Sequence, residues 1–302
     1  MVPVLKIELG LTSFADNQEM HTENGVIPAI SNAERIRNIV EEIKLADEVG
    51  LDVYGLGEHH RPDYAVSSPT TVLAAAAPLT KKIKLASAVT VLSSDDPVRV
   101  YQQFATLDGL SNGRAEIMAG RGSFIESFPL FGYDLKDYEA LFDEKLDLLL
   151  NINRNEIVHW KGHLRPSIEV LGVYPRAVQK ELPIWLATGG TPESSLKAGA
   201  LSLPITYAII GGSPRRFRRN IAMYKAIAES KGFQADQLQI STHSWGYVAD
   251  TDEQAQREFY PAVEAHNNVL AKERGWPAFS NEHFLSEIGP DGAMYVLSLI
   301  HI

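Results

Sequence analysis

Not one cysteine occurs among the 302 residues, which excludes disulfides, thiolate zinc sites and cysteine nucleophiles and is compatible with a reducing cytosol. Positive charge is also scarce: 28 basic residues face 38 acidic ones, a formal net charge of −10. Such a surface argues against nucleic acid or an anionic membrane as partner, and leaves room only for a local basic pocket that holds one phosphate. No apolar run approaches the roughly 20 residues that span a bilayer, and the start Met1-Val2-Pro3-Val4-Leu5-Lys6 lacks the apolar core of a signal peptide. The chain therefore reads as cytoplasmic. Two nucleotide signatures are missing too, Gly-x4-Gly-Lys-Ser/Thr and a Gly-x-Gly-x-x-Gly after a strand. With no linker, repeat or low-complexity tract, one domain is the simpler reading.

What is present is an alternation of strand-like and helix-like patterns. Apolar, β-branched runs predict strands over Lys6–Phe14, Asp52–Gly57, Lys84–Val91, Ala115–Ala119, Ile184–Thr188, Leu203–Ile209, Leu238–Val248 and Ala293–Val296. Helix ends between them are marked. Ser31 and Glu34 form a capping box, followed by Ile36, Val40, Ile43 and Ala46 on one face until Gly50. Asp96-Pro97 opens the next helix, which runs to Gly113, and Thr191-Pro192 and Ser213-Pro214 open two more. Eight strands with intervening helices predict a (β/α)8 TIM barrel, with a doubly wound sheet as the competitor.

Polar groups cluster where strands end. Glu58-His59-His60 follows the second strand, and Ala119-Gly120-Arg121-Gly122-Ser123 follows the fourth. The histidines suit a base or a metal site, or are ordinary loop residues; adjacent residues of an extended chain point oppositely, which disfavours metal. Arg121 between two glycines offers a guanidinium fork to a phosphate, or else forms a surface ion pair. Thr188-Gly189-Gly190-Thr191 follows the fifth strand and starts a helix, so its free N–H groups form an anion seat; Gly211-Gly212-Ser213-Pro214 repeats the device after the sixth. Ordinary strand-to-helix turns explain either alone. His243 falls within the seventh strand, and the basic run Arg215 to Arg219 reads as the solvated face of a helix with Phe217, Ile221, Tyr224 and Ala228 inward.

Taken in order, Glu58-His59-His60, Ser87-Ala88-Val89-Thr90-Val91-Leu92, Asp96-Pro97-Val98-Arg99, Leu110-Ser111-Asn112-Gly113-Arg114 and Ala119-Gly120-Arg121-Gly122-Ser123 resemble the bacterial luciferase-like family of flavin-dependent monooxygenases, from about Leu5 to Val296. The resemblance implies a (β/α)8 barrel and reduced FMN as co-substrate, delivered by a separate flavin reductase. It also implies O2 trapped as a flavin hydroperoxide that attacks a small organic molecule, and a homodimer. By the same resemblance His59, with Glu58, is catalytic. Arg121 is implied at the FMN phosphate, Thr188, Gly189, Gly190 and Thr191 in the second phosphate loop, and Ala88-Val89 as a non-proline cis peptide under the ring; Ser123, Gly211 and Gly212 join the candidate cofactor residues by their place in glycine loops after strands. No metal is implied. The luciferases start the second phosphate loop with an acid, where this chain has Thr188.

Family members continue after the eighth strand with Gly-Ser-Pro-Glu and a last helix, whereas this chain reads Tyr295-Val296-Leu297-Ser298-Leu299-Ile300-His301-Ile302. The expectation is therefore a single barrel over 1–296 that lacks its final helix and exposes an apolar strip, with 297–302 a non-native tail. Other readings stay open: an oxidoreductase of the same fold using the deazaflavin F420, a metal-dependent barrel hydrolase at His59 and His60, and a flavin binder without turnover.

Overall fold

The structure, a computed structural model, describes residues 7–22, 24–122 and 124–298. Its strands are β1 (Gly10–Ser13), β2 (Met20–Thr22), β3 (Gly25–Ile27), β4 (Val53–Leu56), β5 (Lys84–Ser87), β6 (Thr90–Val91), β7 (Ala115–Gly120), β8 (Ile157–Trp160), β9 (Ile168–Gly172), β10 (Ile184–Thr188), β11 (Ile205–Ile209), β12 (Ile240–Ala249) and β13 (Met294–Ser298). Helices are α1 (Asn32–Glu48), α2 (Pro69–Ala76), α3 (Pro97–Ser111), α4 (Ser127–Phe131), α5 (Tyr138–Arg154), α6 (Pro192–Leu201), α7 (Phe217–Ser230), α8 (Asp252–Arg274) and α9 (Asn281–Ser286). All eight expected strands are present. The one read as Lys84–Val91 is broken into β5 and β6, and the chain before β10 forms the antiparallel β8–β9 hairpin.

Backbone contacts divide the chain into two units. The first comprises the chain up to Asp16 together with Ser31–Ala187. Its strands lie side by side in the order β1-β4-β5-β7-β10, each pair parallel. Spatial order equals chain order, so each helix returns the chain one step in the same direction. That is the winding of a (β/α)8 barrel; a doubly wound sheet would reverse direction at a switch point. The core is apolar from both sides: Ile39, Ile43 and Ala46 of α1 are buried, as are Val100, Phe104 and Leu107 of α3 and Leu146, Leu149 and Ile152 of α5. On α1 the fully buried stripe runs through Ile39, with Ile36 and Val40 only partly covered. A 17-residue helix has two candidate apolar stripes here, and docking on the sheet selects one.

Helix ends in this unit follow local chemistry. Ser31 accepts the Glu34 N–H, and Asp96 accepts those of Val98 and Arg99. After α3 the chain turns through Asn112 and Gly113 at φ of 55° and 82°. The turn delivers Arg114, whose Nε donates to the Ser111 carbonyl at 2.7 Å, Nη1 to Ile83 O at 2.6 Å and Nη2 to Ala77 O at 2.9 Å. Asp47 at the end of α1 holds the same corner by accepting the N–H groups of Lys81, Lys82 and Ile83 at 2.9, 2.8 and 2.7 Å.

Burial would raise the Asp47 carboxyl, but those three amides and the Arg114 charge outweigh it and hold it below the usual range. A folded pKa below the unfolded one contributes stability above the unfolded value, and that stability is lost as pH falls through the folded value. Urea midpoints are therefore expected to fall on acidification below about pH 4, and less steeply in Asp47→Asn. Equal slopes for both proteins would remove Asp47 from the acid transition.

The second unit comprises Asn17–Ile30 and the chain from Thr188 onward. Here β11, β12 and β13 are parallel and again in chain order, and β2 and β3 form an antiparallel hairpin. Ala255, Val263, Phe284, Met294 and Val296 form its apolar centre. β13 extends to Ser298, opposite Ala249, so Leu297 and Ser298 pair as strand; residues 299–302 lie outside the described residues. In the first unit Ile7, Leu9 and Leu11 are exposed.

Candidate active site

Within the first unit, β4 ends at Leu56 and sends Glu58, His59 and His60 onward from the strand exit. Glu58 is 9% exposed; one carboxylate oxygen lies 3.0 Å from His60 Nε2 and the other accepts the Val91 N–H at 3.0 Å. The two imidazoles separate as an extended chain requires. His60 faces the edge of Phe131, centroids 5.1 Å apart. His59 lies over Tyr64 with the rings tilted by 30° and centroids 4.1 Å apart, and meets the rings of Phe14 and Phe124 edge-on at 5.5 and 5.3 Å. Arg61 braces this wall with its guanidinium 4.5 Å from the Phe124 centroid, paired to Asp63 and Glu126. Burial pushes the Tyr64 hydroxyl far above its usual range, so it stays neutral. Among the described residues, no group of three or more His, Cys, Asp or Glu could hold a metal ion.

Beside this motif the Ala88–Val89 peptide is cis. The chain leaves the β5 ladder after the Ala88 N–H donates to Leu56 O, and re-joins β7 as β6. Room for it comes from glycines. A Cβ on Gly55 would lie 2.9 Å from Ala88 Cβ, one on Gly57 3.3 Å from the Ala88 carbonyl, and one on Gly120 2.7 Å from Val89 Cγ2. Neither these glycines' spacing role nor the aromatic wall of Phe14, Tyr64 and Phe124 was read from the sequence. The strand glycines are a signal that could have been used, since glycine inside a strand marks close backbone approach.

Arg121 leaves β7 toward α5. Its guanidinium pairs with Glu139 and sits 5.7 and 5.6 Å from the Tyr138 and Phe142 centroids. Ser123, expected beside it, lies outside the described residues.

In the second unit, Thr188 is buried and its hydroxyl accepts the Gly190 N–H at 3.0 Å. Gly190 has φ +107°, and a Cβ there would lie 2.7 Å from Phe217 Cε1, so only glycine fits. Thr191 precedes Pro192 at the start of α6 and shares a hydroxyl–hydroxyl bond with Ser194 at 2.7 Å. A helix N-terminus thus forms as expected, with Gly189 in open space. Gly211 and Gly212 also form a turn, but the Gly212 N–H donates to Glu287 at 2.9 Å, so a carboxylate of the chain already takes that amide. His243 lies in β12 opposite Ala208, and burial pushes its imidazole below the ordinary value.

Residues 7–289 fit the family model described as luciferase-like monooxygenase, and the chain belongs to that family. The alkanal monooxygenase alpha chain of Photorhabdus luminescens is 30% identical over 255 residues, 82% of this chain and 64% of that one. Limonene 1,2-monooxygenase of Rhodococcus erythropolis is 28% identical, covering 74% and 58%, and N-acetyl-S-alkylcysteine monooxygenase of Bacillus subtilis is 30% identical, covering 58% and 52%. The chain thus spans about half to two thirds of these relatives' length. Among solved structures, the monooxygenase RslO1 from Streptomyces bottropensis superposes with a TM-score of 0.76 at 23% identity, covering 88% of this chain and 79% of that one. The fold is thereby luciferase-like. Among the described residues no helix is long and apolar enough to cross a membrane.

Proposed function

We propose that this chain is a flavin-dependent monooxygenase that uses reduced FMN and O2 to oxidise a small organic molecule, with the reduced FMN supplied by a separate reductase. The observation that carries the reading is the Ala88–Val89 backbone, kept clear of Cβ atoms by Gly55, Gly57 and Gly120, beside an imidazole walled by aromatic rings. A flat heteroaromatic ring needs such a floor, and the residues present fit it. Reduced FMN, when bound, supplies the electrons that activate oxygen. Everything else falls to side chains. Phe14, Tyr64 and Phe124 exclude water from His59, which holds and releases a proton at the reacting centre. Glu58, with both oxygens engaged, acts as a positioning residue that fixes His60 and the loop at Val91. Arg121 supplies a charge for the phosphate, its planar group already steadied on Tyr138 and Phe142.

The test is an anaerobic titration with reduced FMN. Arg121→Ala is expected to weaken binding by about 1.5–3 kcal/mol, the worth of a charge-assisted hydrogen bond. Glu139→Gln, which removes the competing carboxylate, is expected to bind at least as tightly as the parent. A folded chain with no affinity for FMN, or one that prefers F420, would overturn the reading.

A further inference from the structure

The rings of Phe14, Tyr64 and Phe124 wall His59, and they are held in two different ways. Phe14 and Tyr64 ride on backbone that is hydrogen-bonded around the motif: the Gly57 N–H donates to Ser13 O at 2.9 Å, the Ala65 N–H to Ala15 O at 2.9 Å and the His59 N–H to Val66 O at 3.0 Å. Phe124 arrives from beyond β7 and meets the motif at Arg61. The Arg61 guanidinium lies 4.5 Å from the Phe124 centroid, its Nη1 pairs with Glu126 two residues further on, and its Nε donates to Asp63 at 3.0 Å. One planar group therefore holds the segment twice, by the face of an aromatic ring and by a carboxylate.

The Arg61 side chain is 7% exposed. A buried ion pair adds little stability over apolar side chains that fill the same space. What it adds is direction, because an apolar contact tolerates sliding whereas a charge-assisted hydrogen bond holds distance and angle. Two carboxylates on one cation also leave no net positive charge to attract an anionic ligand, so the arrangement serves the chain's own geometry. We propose that Arg61 is a positioning residue for His59: by gripping Phe124 and Glu126 together it sets the Phe124 ring edge-on to the imidazole, centroids 5.3 Å apart, and thereby controls how much water reaches it. Glu126 is 32% exposed. Without its partner it turns to water and carries Phe124 away, while Phe14 and Tyr64 stay on their backbone bonds.

The inference rests on the flavin reading only for the use of a shielded His59 in turnover, and its test needs no cofactor. The measurement is the rate at which diethyl pyrocarbonate carbethoxylates His59 in the folded full chain at about pH 8, where imidazoles are neutral, read residue by residue by mass spectrometry. His59 should react slowly in the parent. Losing a charge-assisted contact raises the population of the open arrangement, so Arg61→Met and Glu126→Ala are each expected to speed His59 by about tenfold. Asp63→Ala, which leaves Glu126 and Phe124 in place, should change the rate by less than about twofold, as ordinary substitutions do. Phe124→Ala should speed His59 by itself, and Arg61→Met should then add nothing, because the arginine acts through that ring. An unchanged rate in Glu126→Ala, or a rise in Asp63→Ala equal to that in Glu126→Ala, would show that Arg61 only braces its own loop and would overturn the proposal; neither outcome depends on Arg61→Met folding. A further rise when Arg61→Met is added to Phe124→Ala would overturn it too. Failure to bind FMN with these rates as expected would refute the flavin reading and leave the positioning role standing.

Discussion

Replacing Arg114 by methionine is expected to lower the folding free energy by about 3 kcal/mol, at the upper end of what hydrogen bonds to a charged group contribute. The guanidinium donates to the carbonyls of Ser111, Ile83, Ala77 and Thr80 and to the Thr80 hydroxyl. It thereby ties the end of α3 to the turn between α2 and β5. Methionine keeps the volume but leaves those acceptors without their donor, and acceptors in a covered corner cannot all turn to water. Lysine is expected to recover only part of the loss, since an ammonium cannot span carbonyls on both sides of the corner as the planar fork does. The check is a urea transition: the midpoint should move while its slope stays constant. A shift below about 0.5 kcal/mol, the range of ordinary surface substitutions, would show that solvent replaces the arginine.

Gly120→Ala should damage stability and cofactor binding together. The new Cβ would lie 2.7 Å from Val89 Cγ2, closer than real side chains tolerate, and a tight 3.0 Å from Val89 Cβ and Cγ1. Gly120 is the last residue of a fully buried strand, so the strain must move the Ala88–Val89 segment instead. Overpacking of this kind costs about 1–3 kcal/mol. Because that segment is the proposed floor of the flavin site, FMN affinity is expected to fall by about tenfold or more, which is 1.4 kcal/mol. Val89→Ala removes both Cγ atoms, so the double variant should regain much of the stability, with a coupling measurable in a double-mutant cycle. Lost stability with unchanged FMN affinity would place the flavin elsewhere.

Much of this fold was legible because its rules are local. The Ser31 and Asp96 caps, the end of α3 before Gly113 and seven of the eight strands depend on residues within a few places of one another, and these formed as read. The β8–β9 hairpin carried no clean alternation in its residues, since Ile157 and Val158 are both apolar; packing decides that Ile157 and His159 face out while Val158 and Trp160 are buried. The break between β5 and β6 carried no signal in its own residues, all of which suit a strand; it exists because glycines of β4 and β7 stand beside it.

The candidate site divides the same way. Sequence alone put Glu58, His59, His60 and Arg121 at strand exits, since an apolar run followed by polar residues can end a strand in only one manner. It also predicted that the two imidazoles would part, because successive residues of an extended chain face opposite sides. What only the tertiary structure decided is what each side chain meets. Phe14 and Phe124 come from distant stretches to wall His59, and Glu139 comes to Arg121 from α5. A backbone pattern records periodicity and turn chemistry within about one helical turn. Contacts between residues tens of positions apart arise when whole strands and helices pack, so chemistry that depends on them is decided in three dimensions.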